Sequence, residues 1–242
     1  MTPIRSAASL ALVLALAGAG SASASVVVLG NGDAINLQDL LDSGGQFIVE
    51  DKLFTIESWR TDVFLSTNIS VIGFISQNTN QYGLYSVGFD LVGPFGDGSP
   101  GDNIVHEGNL QYTVEVLPQF YQQGVRLVDV GLVFNGSSGG AGSFSRVDET
   151  IFDLDSNTFL DNLTVFYNAN TPPQIQYQDD AIFSLQGYRA FEVNKNMKFF
   201  SPTAEGFSTA SFIRQEFSQI PAPGALALLG AAGLMARRRR RR

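Results

Sequence analysis

The chain has 242 residues, no cysteine and one histidine, with 44% hydrophobic and 16% charged residues. That composition excludes disulfide staples, thiol catalysis and thiolate metal sites, and it disfavours zinc, which draws mostly on Cys and His. The formal net charge of −8 hides an asymmetry: between Ser25 and Ile220 eight basic residues stand against all twenty-three acidic ones, a formal −15 that argues against nucleic acid as a partner.

In chain order, the first element is "MTPIRSAASLALVLALAGAGSASAS". Arg5 supplies a positive start, Leu10 to Ala17 is unbroken apolar, and Ala22-Ser23-Ala24 is a small-x-small cleavage site. Residues 1–24 therefore read as a secretory signal peptide addressed to the Sec export machinery. The apolar run is too short for a membrane span, which needs ~20 residues. Next comes "NLQDLLDSGG", the one helical pattern near the start of the mature domain. Leu37, Leu40 and Leu41 share a face, Asn36 caps the start, and Gly44 or Gly45 ends it.

The rest of the body reads as strands. "QFIVED", "LFTIES", "NISVIGFIS" and "YGLYSVGFDL" lead to the most regular alternation, "NLQYTVEVL". There Leu110, Tyr112, Val114 and Val116 fall on one face, and Gln111, Thr113 and Glu115 on the other. "RLVDVGLVF", "NLTVFYN" and "AIFSL" follow. In "AFEVNKNMKFF" Phe191, Val193, Met197 and Phe199 share a face that Lys195 interrupts. "GPFGDGSPGDN" and "NGSSGGAGS" have the composition of loops. Many short strands with frequent turns and one short helix predict an all-β fold. It is an antiparallel two-sheet β-sandwich, jelly-roll-like, over residues 25–220.

Candidate chemistry in the body is sparse. In "DLDSNTFLDN", Asp153, Asp155, Asn157 and Asp161 occupy positions one, three, five and nine of a calcium-loop register. Thr158 and Thr164 stand where that loop uses Gly and a bidentate Glu, and a turn between strands accounts for the same Asp and Asn residues. Calcium is thus the one cofactor the sequence admits, with Asp97 and Asp102 of "GDGSPGDN" a weaker place for it. His106, the sole histidine, reads as a solvated or structural residue at a loop edge. It has no G-x-S-x-G elbow to serve in a triad. Paired carboxylates such as Asp153/Asp155 and Asp179/Asp180 show no facing geometry in sequence. Trp59, Tyr82, Tyr85, Tyr112, Tyr121 and Tyr188 are candidates for stacking on sugars, with packing as the competing role.

The chain ends in "IPAPGALALLGAAGLMARRRRRR". Pro221 and Pro223 close the domain near Ile220, with Ala222 between them and Gly224 after. Ala225 to Ala236, including Leu226, Leu228, Leu229 and Leu234, is apolar or small. Arg237, Arg238, Arg239, Arg240, Arg241 and Arg242 then form a basic stop under the positive-inside rule. Twelve residues at 1.5 Å each cover only ~18 Å of a ~30 Å hydrocarbon core, which suits transient membrane attachment. This three-part layout resembles the PEP-CTERM sorting signal of exported bacterial proteins, with Ala222 in place of the usual acidic residue. "DKLF" at Asp51–Phe54 and "FEVNKNM…ASFIRQEFSQIPAPG" are similar to PEP-CTERM proteins with an all-β ectodomain. The resemblance implies processing by an exosortase-type enzyme and a destination among exopolysaccharide at the cell surface or outside the cell. The expected function is non-enzymatic, structural or adhesive. A carbohydrate-binding module, calcium-assisted or not, is the alternative, and a secreted hydrolase using two carboxylates is the second.

Overall fold

A computed structural model describes residues 25–79, 85–183 and 186–220. The leader, Tyr82 and the whole sorting segment from Pro221 to Arg242 lie outside the described residues. The elements are β1 (Val27–Val28), β2 (Ala34–Asn36), α1 (Leu37–Asp42), β3 (Gln46–Val49), β4 (Lys52–Thr61), β5 (Ser70–Thr79) and β6 (Tyr85–Gly96). There follow β7 (His106–Val116), α2 (Pro118–Gln122), β8 (Arg126–Phe134), β9 (Ser137–Gly139), β10 (Phe144–Asp153) and β11 (Thr158–Asn168). β12 (Gln174–Gln176), β13 (Gln178–Ile182), β14 (Ala190–Phe200) and β15 (Phe207–Ile220) complete the chain.

The strands form two sheets. The front sheet runs β1-β3-β4-β7-β14-β10-β11-β12, and the back sheet runs β13-β8-β15-β6-β5-β2, with β9 beside β15. Apart from the short parallel pair β1/β3, every pairing is antiparallel. The expected two-sheet sandwich is therefore the observed fold. β14 coincides with a segment read from alternation, and β8 with one of the less regular strand candidates.

Period-two patterning explains the core. On β14 the buried positions are Phe191, Val193, Lys195, Met197 and Phe199, while Glu192, Asn194, Asn196 and Lys198 face out. Between the sheets Phe47 stacks on Phe54 at 4.9 Å, and Phe89 of the back sheet meets Phe47, Phe54 and Tyr112 edge-on at 5.5, 5.4 and 5.3 Å. Each such ring contributes roughly 1.5–3 kcal/mol by burial, and aromatic pairing adds about 0.5–1.5 kcal/mol. A side chain at Gly88 would sit 1.8 Å from the Gln215 carbonyl, so glycine there lets β6 and β15 close against each other.

Helix α1 forms as expected. The Asn36 side chain accepts from the Gln38 N–H at 2.9 Å, and Gly44 and Gly45 end the helix at φ 104° and 73°. The expectation of a single helix is corrected by α2, a five-residue turn opened by Pro118. It is too short for any apolar periodicity to mark it. Two further readings shift: β9 lies inside the glycine-serine run taken as loop, and the strand expected at "AIFSL" is Gln178–Ile182.

Lys195 interrupts an apolar stripe because it forms a buried ion pair. Its Nζ donates to Glu149 of β10 and, at 3.0 Å, to Gln215 Oε1 of β15, with Lys195 and Glu149 2% and 1% exposed. Gln215 in turn donates to the Gly131 carbonyl at 3.2 Å. Burial pushes the Glu149 carboxyl up and the Lys195 ammonium down, and their mutual attraction opposes both effects. A second lysine bridges the sheets at one end: buried Lys52 of β4 donates to Asp51 at 2.8 Å and to Gln219 of β15.

Candidate functional site

The outward face of the front sheet is where the strand register assembles a site. Asn196 of β14 is opposite Asn109 of β7 on one side and Asp148 of β10 on the other. One step of the pleat along, Asn194 lies between Gln111 and Thr150. β4 extends the two rows with Arg60 beside Asn109 and Ser58 beside Gln111. β11 extends them with Thr164 beside Asp148 and Asn162 beside Thr150. Of these, the residues on β4, β7, β14 and β10 line an open cleft of about 450 Å³, with β11 outside its lining. Its lining is amide, hydroxyl and single charges rather than an apolar slot.

Its polar groups are unevenly paired. Asp148 accepts from Arg146 Nε at 2.8 Å and from the Thr164 hydroxyl at 2.8 Å. Glu192 accepts from Gln111 Nε2 at 2.9 Å and Asn194 Nδ2 at 3.1 Å. Asn196 Oδ1 is buried and has no hydrogen-bond partner among the described residues. A buried amide oxygen left unpaired costs about 1–3 kcal/mol.

Aromatic rings flank the cleft along β10 and β14. At one end Phe144 lies 5.5 Å from Phe200, and at the other Phe152 lies 6.0 Å from Phe159, which is 51% exposed. From residue 144 to 152 a strand rises ~27 Å, so the face is a long track with polar groups in the middle and rings at both ends.

The aromatic residues singled out in sequence lie elsewhere. Tyr112 is in the core, Trp59 packs inward and donates to the Phe64 carbonyl at 3.3 Å, and Tyr121 lies 3.6 Å beneath the Arg126 guanidinium. Tyr188 packs against Phe183 and Phe191, and Tyr85 is exposed at the start of β6 in the back sheet. No described member of that set lines the cleft. The phenylalanines that flank it carry no polar marker that would distinguish them in sequence from core phenylalanines.

The calcium register lies at the β10–β11 hairpin. Asp153 ends β10, Asp155 and Asn157 form the turn with Asn157 at φ 52°, and Asp161 sits on β11. Asp155 is bound by Arg189 Nε at 3.0 Å, and that guanidinium also holds Glu115. The hydrogen bond from Arg189 holds the Asp155 carboxyl below its ordinary range. Asp153 accepts from Ser156 and from the Asp155 N–H, an arrangement that closes a tight turn. His106, expected to be solvated or structural, opens β7 and is buried, 7% exposed. Asp97 and Asp102 approach it, and none of the three lines the cleft.

No family model matches the chain, and no curated protein matches it. Among solved structures it is similar to TmCBM61 in complex with β-1,4-galactotriose, at 13% identity over 68% of this chain and 89% of that one, with a TM-score of 0.30. It is also similar to TmCBM27, a carbohydrate-binding module with specific mannan recognition (7% identity, 76% and 95% coverage, TM-score 0.27). A third is a thermostable cellulase derived from that of Rhodothermus marinus (10% identity, 70% and 99% coverage, TM-score 0.24). At these scores the likeness carries no function across.

Proposed function

We propose that the chain is a non-catalytic polysaccharide-binding protein that takes a neutral glycan strand along the outer face of its front sheet. One observation carries the reading: an open cleft lined by amide and hydroxyl side chains, among them Asn196, whose buried Oδ1 has no hydrogen-bond partner among the described residues. Sugar hydroxyls are donors and acceptors of matching chemistry, and rings such as Phe159 offer apolar faces for stacking. The acidic body favours a neutral polymer over a polyanion. Asp148 and Glu192 on this face are held by their own neighbours, which supports binding over turnover.

Export by residues 1–24 and sorting by Pro221–Arg242 would bring this face into exopolysaccharide at the cell surface or in the extracellular matrix. An exosortase-type enzyme would process the tail while the apolar segment is held transiently in the membrane. The intact mass from the native host tests this part: loss of both ends supports it, and a mass retaining Arg242 contradicts it. Affinity electrophoresis through gels containing neutral or acidic polysaccharides tests the binding face. The full chain is retarded by at least one neutral polymer, and Asn196→Ala abolishes the retardation. Equal mobility in every gel contradicts the proposal.

A further inference from the structure

We propose that Asp97, Asp102 and His106 form a binding site for one divalent transition-metal ion, with Zn²⁺ the best fit. The three residues come from the crossover that carries the chain from β6 in the back sheet to β7 in the front sheet. One ligand atom from each lies within 4.8 Å of the others, the one such group of His, Asp and Glu side chains among the described residues.

The acidic residues alone would not make a site; the state of His106 does. Its side chain is 9% exposed, and its Nε2 has no hydrogen-bond partner among the described residues. Nε2 nevertheless points between two carboxylate oxygens, 3.4 Å from Asp97 Oδ1 and 3.5 Å from Asp102 Oδ2. A charged N–H donating to a carboxylate would close to roughly 2.7–2.9 Å. Two ligands bound tetrahedrally at roughly 2.1 Å from one ion are held about 3.4 Å apart. The two distances from Nε2 match the edge of such a tetrahedron.

The surroundings orient each ligand. On its other side the ring places Nδ1 3.3 Å from Asp62 Oδ2, so Nδ1–H donating there leaves the Nε2 lone pair free for a metal. Asp97 Oδ2 accepts from the Ser201 N–H at 2.7 Å, and Asp102 Oδ1 accepts from the Ile104 N–H at 2.7 Å. Asp97 also accepts from the Ser99 N–H, at 2.9 Å on Oδ1. The Asp97 side chain is fully buried and that of Asp102 is 28% exposed, which leaves one side of the group open for water as a fourth ligand. One imidazole with two carboxylates selects a borderline ion over Ca²⁺ and Mg²⁺, which take oxygen ligands, and Zn²⁺ outranks Mn²⁺ at such a set. The sequence-based case against zinc rested on Cys and His counts, and here carboxylates complete the set. The ion would tie the crossover to the loop after β14 through Ser201 and to the end of β4 through Asp62, a staple in a chain without cysteine.

The test uses the full chain, stripped with EDTA and dialysed, then titrated with ZnCl₂, CaCl₂ or MgCl₂ by calorimetry. The imidazole resonance is followed by NMR in parallel, which is unambiguous because His106 is the chain's only histidine. The site predicts one Zn²⁺ per chain, a Zn²⁺-dependent shift of that resonance and a raised melting temperature that EDTA reverses. Asp102→Asn, at a partly exposed position, weakens Zn²⁺ at least tenfold. Asp62→Asn, acting through the ring, weakens it about tenfold or more. The proposal is overturned by absence of Zn²⁺ binding at millimolar metal, by tighter binding of Ca²⁺ than Zn²⁺, or by affinity unchanged in Asp102→Asn. A resonance that moves with pH but not with Zn²⁺ also overturns it, since the site is then an imidazolium among carboxylates.

Discussion

The same two strands, β10 and β14, present two polar regions of opposite character on their two faces. Toward the core, Glu149 and Lys195 pair with each other and with Gln215. Toward solvent, Asp148, Thr150, Asn194 and Asn196 line a cleft, and Asn196 Oδ1 has no partner. The residues alternate along each strand, so one pleat separates a buried ion pair, in which Glu149 Oε2 also lacks a hydrogen-bond partner among the described residues, from an open polar cleft. An ion pair buried inside a core bears on which fold forms. A polar group left unsatisfied in the lining of an open cleft bears on what the fold holds.

The largest effect should come from breaking the inner cluster. Lys195→Met strands a buried carboxylate and should cost about 3–5 kcal/mol, read by urea denaturation, while Lys195→Met/Glu149→Leu recovers most of it. Unfolding by the single change and near-recovery by the double would confirm that the pair, rather than either charge, fits the core. The single variant also acquires a pH dependence. Burial holds Glu149 above its ordinary 4.5, so the folded state keeps a proton that the unfolded state has lost. The stability of Lys195→Met should therefore be greatest below 4.5 and fall as pH rises through the folded value. A stability that rises over that window would contradict the burial argument.

Changes on the outer face should do the reverse. Asn196→Ala should lower glycan affinity at least tenfold, ~1.4 kcal/mol, while shifting the melting temperature by no more than a few degrees. Phe159→Ala should remove a stacking surface and weaken binding severalfold, about 0.5–1.5 kcal/mol, again with little change in melting. Equal losses of stability and binding in both variants would erase the distinction between the two faces.

The smallest effect is at the hairpin that joins these strands. Arg189 holds Asp155 below its ordinary 3.8, so this pair contributes stability above that value and loses it as pH falls through the lower folded one. Asp155 is 48% exposed at its side chain, so Asp155→Asn should cost under ~1 kcal/mol at neutral pH. If added Ca²⁺ raised the melting temperature of the native chain but not of this variant, the turn would be a metal loop after all.

How much was legible in the sequence follows from the same two faces. β7, β8 and β14 were readable because their inward positions are mostly apolar. β10 and β15 were not, since "FSRVDETIFD" places Glu149 and Ser145 inward and "FSTASFIRQEFSQI" places Gln215 and Ser208 inward. The polar residues that obscure two strands, and interrupt a third at Lys195, are the ones that meet in the core. The cleft was invisible for a different reason. Asn109, Asn196 and Asp148 are ordinary outward residues in sequence, and only antiparallel register sets them side by side. The acidic residues teach the same lesson. The spacing from Asp153 to Asp161 follows a calcium-loop register and lies at a hairpin turn. Asp97, Asp102 and His106 match no motif and converge because the crossover folds back on itself.

The most direct measurement is calorimetric titration of the full chain with a neutral oligosaccharide taken from the polymer that retards it most. Wild type would be compared with Asn109→Ala/Asn196→Ala. The account predicts saturable binding by wild type and a loss of about 100-fold or more in the double variant, with both proteins melting within a few degrees of each other. Undiminished binding by the double variant, or no binding by wild type to any neutral glycan, would contradict it.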